Sequence, residues 1–323
     1  MAKKRRGDER EGGDGLDRIF GLLEAAPAGL HDVEPAASAL PSGLPPPLIE
    51  LYAHCDGLRL FLDAVELVPA TQVTMPVAGR WRFGEIDGDA LAIDHRGRIW
   101  RADPSLDDDV CDGTRLDRWI AGVLDATGLL YDGDGEFAED VFDEEGEVLP
   151  VIRERQMRAQ LKRDPAAPGP RWRLAHALIE QGVHEDARNE FEQVVADDPA
   201  FVWAWLDLAR LSEKLGELTN AVDEARMAAE TAEGVQHAQA GYFWAQLARL
   251  AARTGDEVLR AQAATKTSLL GPTLKQAQLD GVRESLAAGD VASAKGLLEL
   301  LRAVWPRDLE VLDLVRRIET ANN

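Results

Sequence analysis

Residues 174–187, LAHALIEQGVHEDA, and residues 208–221, LARLSEKLGELTNA, decide how half of the chain folds. Leu174, Ala175, Gly182 and Ala187 recur as Leu208, Ala209, Gly216 and Ala221, each 34 residues later. Pro165 and Pro199 share that spacing, as do Gly255 and Gly289, and Pro272 and Pro306. A fixed period of this length within 3.6-residue apolar periodicity marks stacked helical pairs. The residue types suit such stacking. Ala175, Ala209 and Ala248 let paired helices approach closely, Gly182, Gly216 and Gly255 permit the turn between them, and Phe191 fills the next groove. Gly216 and Gly255 are 39 residues apart, which places an insertion of about five residues near 231–240.

This pattern resembles the tetratricopeptide repeat (TPR). The resemblance implies repeats over 168–201, 202–240, 241–274 and 275–308, preceded by a helix at 151–163 and closed by a capping helix at 308–320. Two positions depart from it: Arg260 stands where alanine is usual and Gly281 where leucine is. Such repeats stack into an all-α solenoid whose concave face is lined by the first helix of each pair. The inward positions are then Trp172, His176 and Glu180, followed by Trp203, Leu206, Arg210 and Lys214, then Tyr242, Arg249 and Arg253, and finally Leu279 and Arg283. A basic and aromatic groove of this kind suits an acidic peptide or a C-terminal carboxylate.

Outward from the repeats, the first half has a different texture. Leu16, Ile19, Phe20 and Leu23 share one helical face, and Leu48, Leu51, Tyr52 and Cys55 share another after Pro45, Pro46 and Pro47. From about residue 58 short apolar runs alternate with turn signals, and Asp87-Gly88 and Arg96-Gly97 predict an antiparallel meander over roughly 81–103. Leu116, Trp119, Ile120 and Val123 then predict a closing helix near 114–127. Trp81, Trp100 and Trp119 are expected in the core. The order is that of an α+β domain, an antiparallel sheet with flanking helices.

The segments LPPPLIELYAHCDGLRLF (44–61), FGEIDGDALAIDHRGRIWRAD (83–103) and LDRWIAGVL (116–124) resemble the SMI1/KNR4 domain, also called the SUKH superfamily, over about residues 16–130. The resemblance implies an α+β fold without general catalytic activity. Many relatives act as immunity proteins that neutralise toxins, nucleases among them, and others act as interaction hubs.

Charge separates the two halves. The net charge is −22, and residues 1–15, 16–150 and 151–323 carry +1, −19 and −4; no lysine occurs in 16–150. Nucleic-acid and anionic-membrane binding rest on cationic surfaces, so this balance argues against both. Asp87, Asp89, Asp107, Asp108, Asp109 and Asp112 are read as an acidic surface that a basic partner would meet, with the run from Asp107 in an exposed loop. Residues 1–15 read as a disordered tail and 131–150 as an acidic linker, whose DGDGE core has its glycine too early for an EF-hand.

Two cysteines, Cys55 and Cys111, are too few for a disulfide framework and form no CxxC, so a reducing, cytoplasmic setting is expected. Phosphate-binding, nucleophile-elbow and zinc-protease motifs are absent, so no cofactor or metal is implied. His31, His54, His95, His176, His184 and His237 are scattered, and Asp87, Asp89 and Asp94 flank turns where aspartate is favoured for geometry alone. The expected function is non-enzymatic protein recognition, as an immunity-type binder acting through the acidic domain, or as a scaffold holding a peptide in the repeat groove.

Overall fold

A computed structural model describes residues 14–77 and 79–321. Residues 1–13 of the predicted tail lie outside the described residues; Asp14 and Gly15 already belong to a helix. The chain divides into two compact units, Met1–Glu190 and Phe191–Asn323.

The first unit opens with α1 (Asp14–Glu24), β1 (His31–Val33) and α2 (Pro46–Tyr52). Strands β2 (Leu58–Leu60), β3 (Val65–Leu67), β4 (Thr74–Val77), β5 (Arg80–Ile86), β6 (Asp89–Asp94), β7 (Ile99–Asp103) and β8 (Asp108–Gly113) follow, and α3 (Leu116–Thr127) comes after them. All neighbouring strands are antiparallel, in the order β1-β2-β3-β5-β6-β7-β8, with β4 also paired to β5. The expected α+β architecture is therefore present, with its meander extended on both sides.

One core holds this unit together. Leu16 and Ile19 of α1, Leu48, Leu51 and Tyr52 of α2, and Trp119, Ile120 and Val123 of α3 are buried with Leu58, Phe83, Leu91, Ile93 and Ile99 from the sheet. The turn between β5 and β6 is the two-residue loop Asp87-Gly88, with φ of +52° and +84°. Positive φ at both positions matches the right-handed twist of the flanking strands, and the aspartate-glycine pair supplies it at low cost. Trp119 is core, and Trp81 packs against that core half-buried. Trp100 is half-buried between Arg80 and Arg98, whose guanidinium carbons lie 3.8 and 4.9 Å from its ring centroid.

One segment differs from expectation. The run from Asp107 is not an exposed loop: Asp108–Gly113 is strand β8, paired with β7 from Asp103↔Asp108 to Ile99↔Gly113, because Val110 and Cys111 supply buried side chains among the carboxylates. The acidic stretch after α3 folds into two tandem turns of the same build. Asp132 accepts hydrogen bonds from the backbone N–H groups of Asp134 and Glu136 at 2.9 and 3.1 Å, and Asp143 does so from Glu145 and Glu147 at 3.1 and 2.8 Å. Tyr131↔Phe137 and Phe142↔Val148 close the two turns as bridges.

Helices α4 (Pro150–Arg163) and α5 (Pro168–Glu180) follow in the first unit. α4 packs on α3 and α5 on β8. The second contact needs glycine, since a Cβ at Gly169 would lie 2.8 Å from the Cys111 carbonyl oxygen; at the first, a Cβ at Gly122 would make a tight contact of 3.3 Å with the Gln160 Cα. The division between units falls inside α6 (His184–Asp197).

The second unit continues with α7 (Val202–Lys214), α8 (Leu218–Gly234), α9 (Ala240–Thr254), α10 (Glu257–Leu270), α11 (Leu274–Ala287), α12 (Val291–Val304) and α13 (Leu309–Ala321). The helix pairs follow the period read from the sequence. The insertion near 231–240 lengthens α8 to 17 residues against the 14 of α10 and adds the turn before α9. Gly216 and Gly255 have φ of +82° and +77°, the left-handed region in which a helix ends and its partner begins. Ala209, Ala225, Ala248 and Ala251 have no exposed surface, as close helix crossings require. Asp256 and Asp290 cap α10 and α12 by accepting from the N–H groups of Leu259 and Ser293.

Candidate functional site

The concave positions read from the repeat pattern fall into both units and into different environments. In the first unit Trp172 is 7% exposed and packs edge-on to His176 at 4.6 Å between centroids. In the second unit Trp203 is buried, its ring 4.8 Å from Phe243. Neither indole offers a binding platform; close packing of neighbouring helices uses both as core. Leu206 and Leu279 are buried as well, while Lys214 is exposed.

The arginines are neutralised from within the unit. Arg210 donates to Asp207 at 2.8 Å and to the Tyr242 hydroxyl at 3.0 Å. Arg249 forms a bidentate pair with Glu213 at 2.6 Å on both arms and donates to Gln246 at 3.0 Å; Arg253 also pairs with Glu213. Burial pushes the Glu213 carboxyl up, but the two guanidinium groups outweigh that and hold it below the usual carboxylate range. Arg283 pairs with Asp280 and Glu310. Tyr242, Arg249 and Arg253 are thus brought together on α9, and Arg283 has its own partners.

Two cavities adjoin these residues. One of about 440 Å³ is lined by Tyr242, Gln246, Arg249, Gln278, Leu297 and Glu299, among others. The other, of about 990 Å³, is lined by Arg253, Arg260, Lys295 and Arg302, by Glu257 and Glu299, and by Leu298 and Ile318, among others. Arg249, Gly296 and Glu299 line both, so they adjoin. Lys295 and Arg302 have no ion-pair partner among the described residues.

The repeat pattern misses Arg260, Lys295 and Arg302 because it assigns inward positions only to first helices and these three lie on second helices; it misses Glu213, on the first helix α7, because only Arg210 and Lys214 beside it take inward positions. The signal was present in Arg260, which replaces the usual small residue, and in Lys295, Glu299 and Arg302, which share one face of α12 at i, i+4 and i+7.

The acidic residues predicted as a partner surface are dispersed. Asp87 and Asp89 sit at one hairpin and both pair with Arg101, Asp89 at 2.7 Å. Asp109 pairs with Arg80 at 2.5 Å, and Asp108 accepts from the Asp109 N–H. Asp107 is exposed with φ of +51°. Asp112 is no surface residue: it is 2% exposed, accepts from Trp119 Nε1 at 2.8 Å and pairs with Arg173. The end of β8 is buried on both faces, and there a charged side chain needs these partners.

Asp94 organises the turn after β6. It accepts from Arg96 and Arg98 N–H groups at 2.9 and 3.1 Å, Arg98 Nε at 2.8 Å and Trp100 Nε1 at 3.3 Å. Burial pushes its carboxyl up, and these donors more than reverse that. Among the described residues no three His, Cys, Asp or Glu side chains are grouped to hold a metal ion, and no helix is long and apolar enough to cross a membrane.

A family model described as tetratricopeptide repeat matches residues 178–241. Among solved structures, the chain is similar to YrrB, titled a TPR protein with an unusual peptide-binding site, at 14% identity over 52% of this chain and 84% of that one, with a TM-score of 0.34. A MamA structure matches at 17% identity over 52% and 89%, with a TM-score of 0.34. A thermophilic TPR protein of Thermus thermophilus matches at 17% over 53% and 90%, with a TM-score of 0.33. No curated protein matches the chain. Tetratricopeptide repeats are present in the C-terminal half, following an N-terminal region built on one antiparallel sheet.

Proposed function

We propose that the protein is a non-enzymatic scaffold whose second unit holds a peptide segment of a partner. The observation that supports this most is the pair of adjoining cavities meeting at Arg249, with Tyr242 on one side and a surplus of cations on the other. Repeats of this family serve protein–protein interaction, and a groove with fixed guanidinium groups suits carboxylates of an extended chain. Affinity capture from the native lysate with the full-length protein and with a Tyr242→Ala/Gln246→Ala variant tests the reading. A partner recovered by the wild type and lost by the variant supports it. Recovery of the same partners by both, with unchanged thermal unfolding, removes the groove.

A second reading has its own observation. The tandem turns leave Asp132, Asp134, Glu136, Asp143, Glu144, Glu145 and Glu147 exposed on the first unit. With the SMI1/KNR4 resemblance, this supports an immunity-type role in which the acidic unit meets a basic toxin. Reversal of Asp134, Glu136, Glu145 and Glu147 to lysine is then expected to abolish capture of a basic protein that the wild type recovers at low salt. Capture unaffected by that reversal sets the toxin reading aside.

A further inference from the structure

Three consecutive residues between β2 and β3, Phe61, Leu62 and Asp63, have φ of +55°, +55° and +76°. Side chains with a Cβ avoid this left-handed region, so the surrounding contacts must hold the hairpin in it. The Ala64 N–H donates to the Phe61 carbonyl and the Leu62 N–H to the Leu30 carbonyl, each at 3.2 Å. The Phe61 N–H donates to Nδ1 of His31 at 3.3 Å, and the Tyr131 hydroxyl donates to the Phe61 carbonyl at 3.3 Å. The Phe61 ring meets the same two side chains, nearly perpendicular to His31 at 4.7 Å between centroids and stacked on Tyr131 at 5.3 Å. Tyr131 stacks in turn on Phe137 at 5.0 Å, so one run of rings joins His31 to the first of the tandem acidic turns.

His31 is the member of this run that titrates near neutral pH. As an acceptor at Nδ1 its ring is neutral, with the proton on Nε2. Protonation of Nδ1 turns that acceptor into a donor facing another donor, and it leaves the N–H of the buried Phe61 without a partner. The ring is half-buried, so water reaches it, and burial holds its pKa below the ordinary imidazole value. Neighbouring charges lie elsewhere. In the β1–β2 register His31 stands opposite the buried Leu60, whereas Asp32 and Arg59 pair with each other on the other face, and Arg59 also pairs with Asp63 at 3.7 Å. Burial pushes the Tyr131 hydroxyl up, with Asp87 adding to it, so Tyr131 keeps its proton; Asp87 itself pairs with Arg101 at 3.5 Å. The neutral imidazole therefore favours the closed hairpin, an effect complete above the ordinary imidazole range and lost as pH falls through the lowered value.

We propose that His31 is a proton-operated latch: its neutral ring holds the left-handed hairpin at 61–63 closed and, through Phe61 and Tyr131, keeps the first acidic turn seated, and protonation releases both. Once released, the hairpin relaxes out of the left-handed region and the Tyr131 hydroxyl loses its acceptor. The latch stands apart from both readings of function and puts pH control on the unit that carries the acidic turns.

The test is hydrogen exchange read by mass spectrometry on the full-length protein at about pH 7.5 and about pH 5.5, with rates corrected for the intrinsic pH dependence of exchange. Segments 58–65 and 129–138 are expected to lose about tenfold in protection at the lower pH, roughly one unit below the ordinary imidazole pKa, while segment 244–254 on α9 is unchanged. His31→Asn offers a side-chain oxygen in place of Nδ1 that does not titrate in this range, and it is expected to keep both segments protected at both pH values. Equal protection of the wild-type segments at the two pH values overturns the proposal, as does a loss at low pH that His31→Asn reproduces. A loss spread evenly over the first unit is acid unfolding and overturns it too. Should His31→Asn already lose protection at the higher pH, the wild-type imidazole decides: its NMR titration midpoint is expected to coincide with the midpoint of the exchange change, and a mismatch overturns the latch.

Discussion

Asp112 belongs by sequence to an acidic run and by structure to the interior. Its carboxylate joins β8 to α3 through Trp119 and to α5 through Arg173. Removing one member of a buried charge pair leaves the other unpaired, so Asp112→Ala is expected to cost about 3 kcal/mol in urea unfolding. Asp107→Asn, on an exposed side chain five residues earlier whose positive φ asparagine also tolerates, is expected to change stability by less than about 0.5 kcal/mol. Glu213 makes the same point with a pH signature. Because its folded carboxyl titrates below the ordinary range, its contribution is present above that range and lost as pH falls through the folded value. Glu213→Gln is expected to destabilise at pH 7 by about 2 kcal/mol and to flatten the acid limb of thermal stability against pH.

At the scale of elements, what a residue does depends on what its helix or strand meets. Glycine inside a helix is usually worse than alanine by up to about 1 kcal/mol. At Gly169 the sign reverses, since a Cβ would press on the Cys111 carbonyl; Gly169→Ala is expected to destabilise by about 1–3 kcal/mol in the same unfolding measurement. Asp256 and Asp290 occupy equivalent places before α10 and α12, and either Asp→Ala change is expected to cost about 1 kcal/mol through the lost cap. That α10 packs on α12, which also lies against α9, is an element-scale effect too. A helix apolar on two sides takes the central position from one that is apolar on one, whatever the period prescribes.

For the molecule taken entire, charge is the dominant feature. A net charge of −22 opposes compaction by self-repulsion, and the surplus lies before residue 151. Raising salt from about 20 to 200 mM is therefore expected to raise the melting temperature, although it screens the surface pairs such as Arg59–Asp32 as well. A melting temperature that falls with salt would show that ion pairs outweigh the repulsion.

The helical pairs of the second half are legible in the order of residues, because helix, turn glycine and small crossing residues are local and repeat with one period. So are the meander and the closing helix of the first half, where apolar alternation and the Asp87-Gly88 turn act over a few residues. Only the folded chain shows that the carboxylates after Asp107 form a strand, that Asp112 is buried against Arg173, and that Trp172 and Trp203 are core. Folding likewise brings Arg253, Arg260, Lys295 and Arg302 to one cavity. Each of these depends on a partner far along the chain, as Asp112 and Arg173 are 61 residues apart, and local pattern carries no record of which distant side chain will cover a given face.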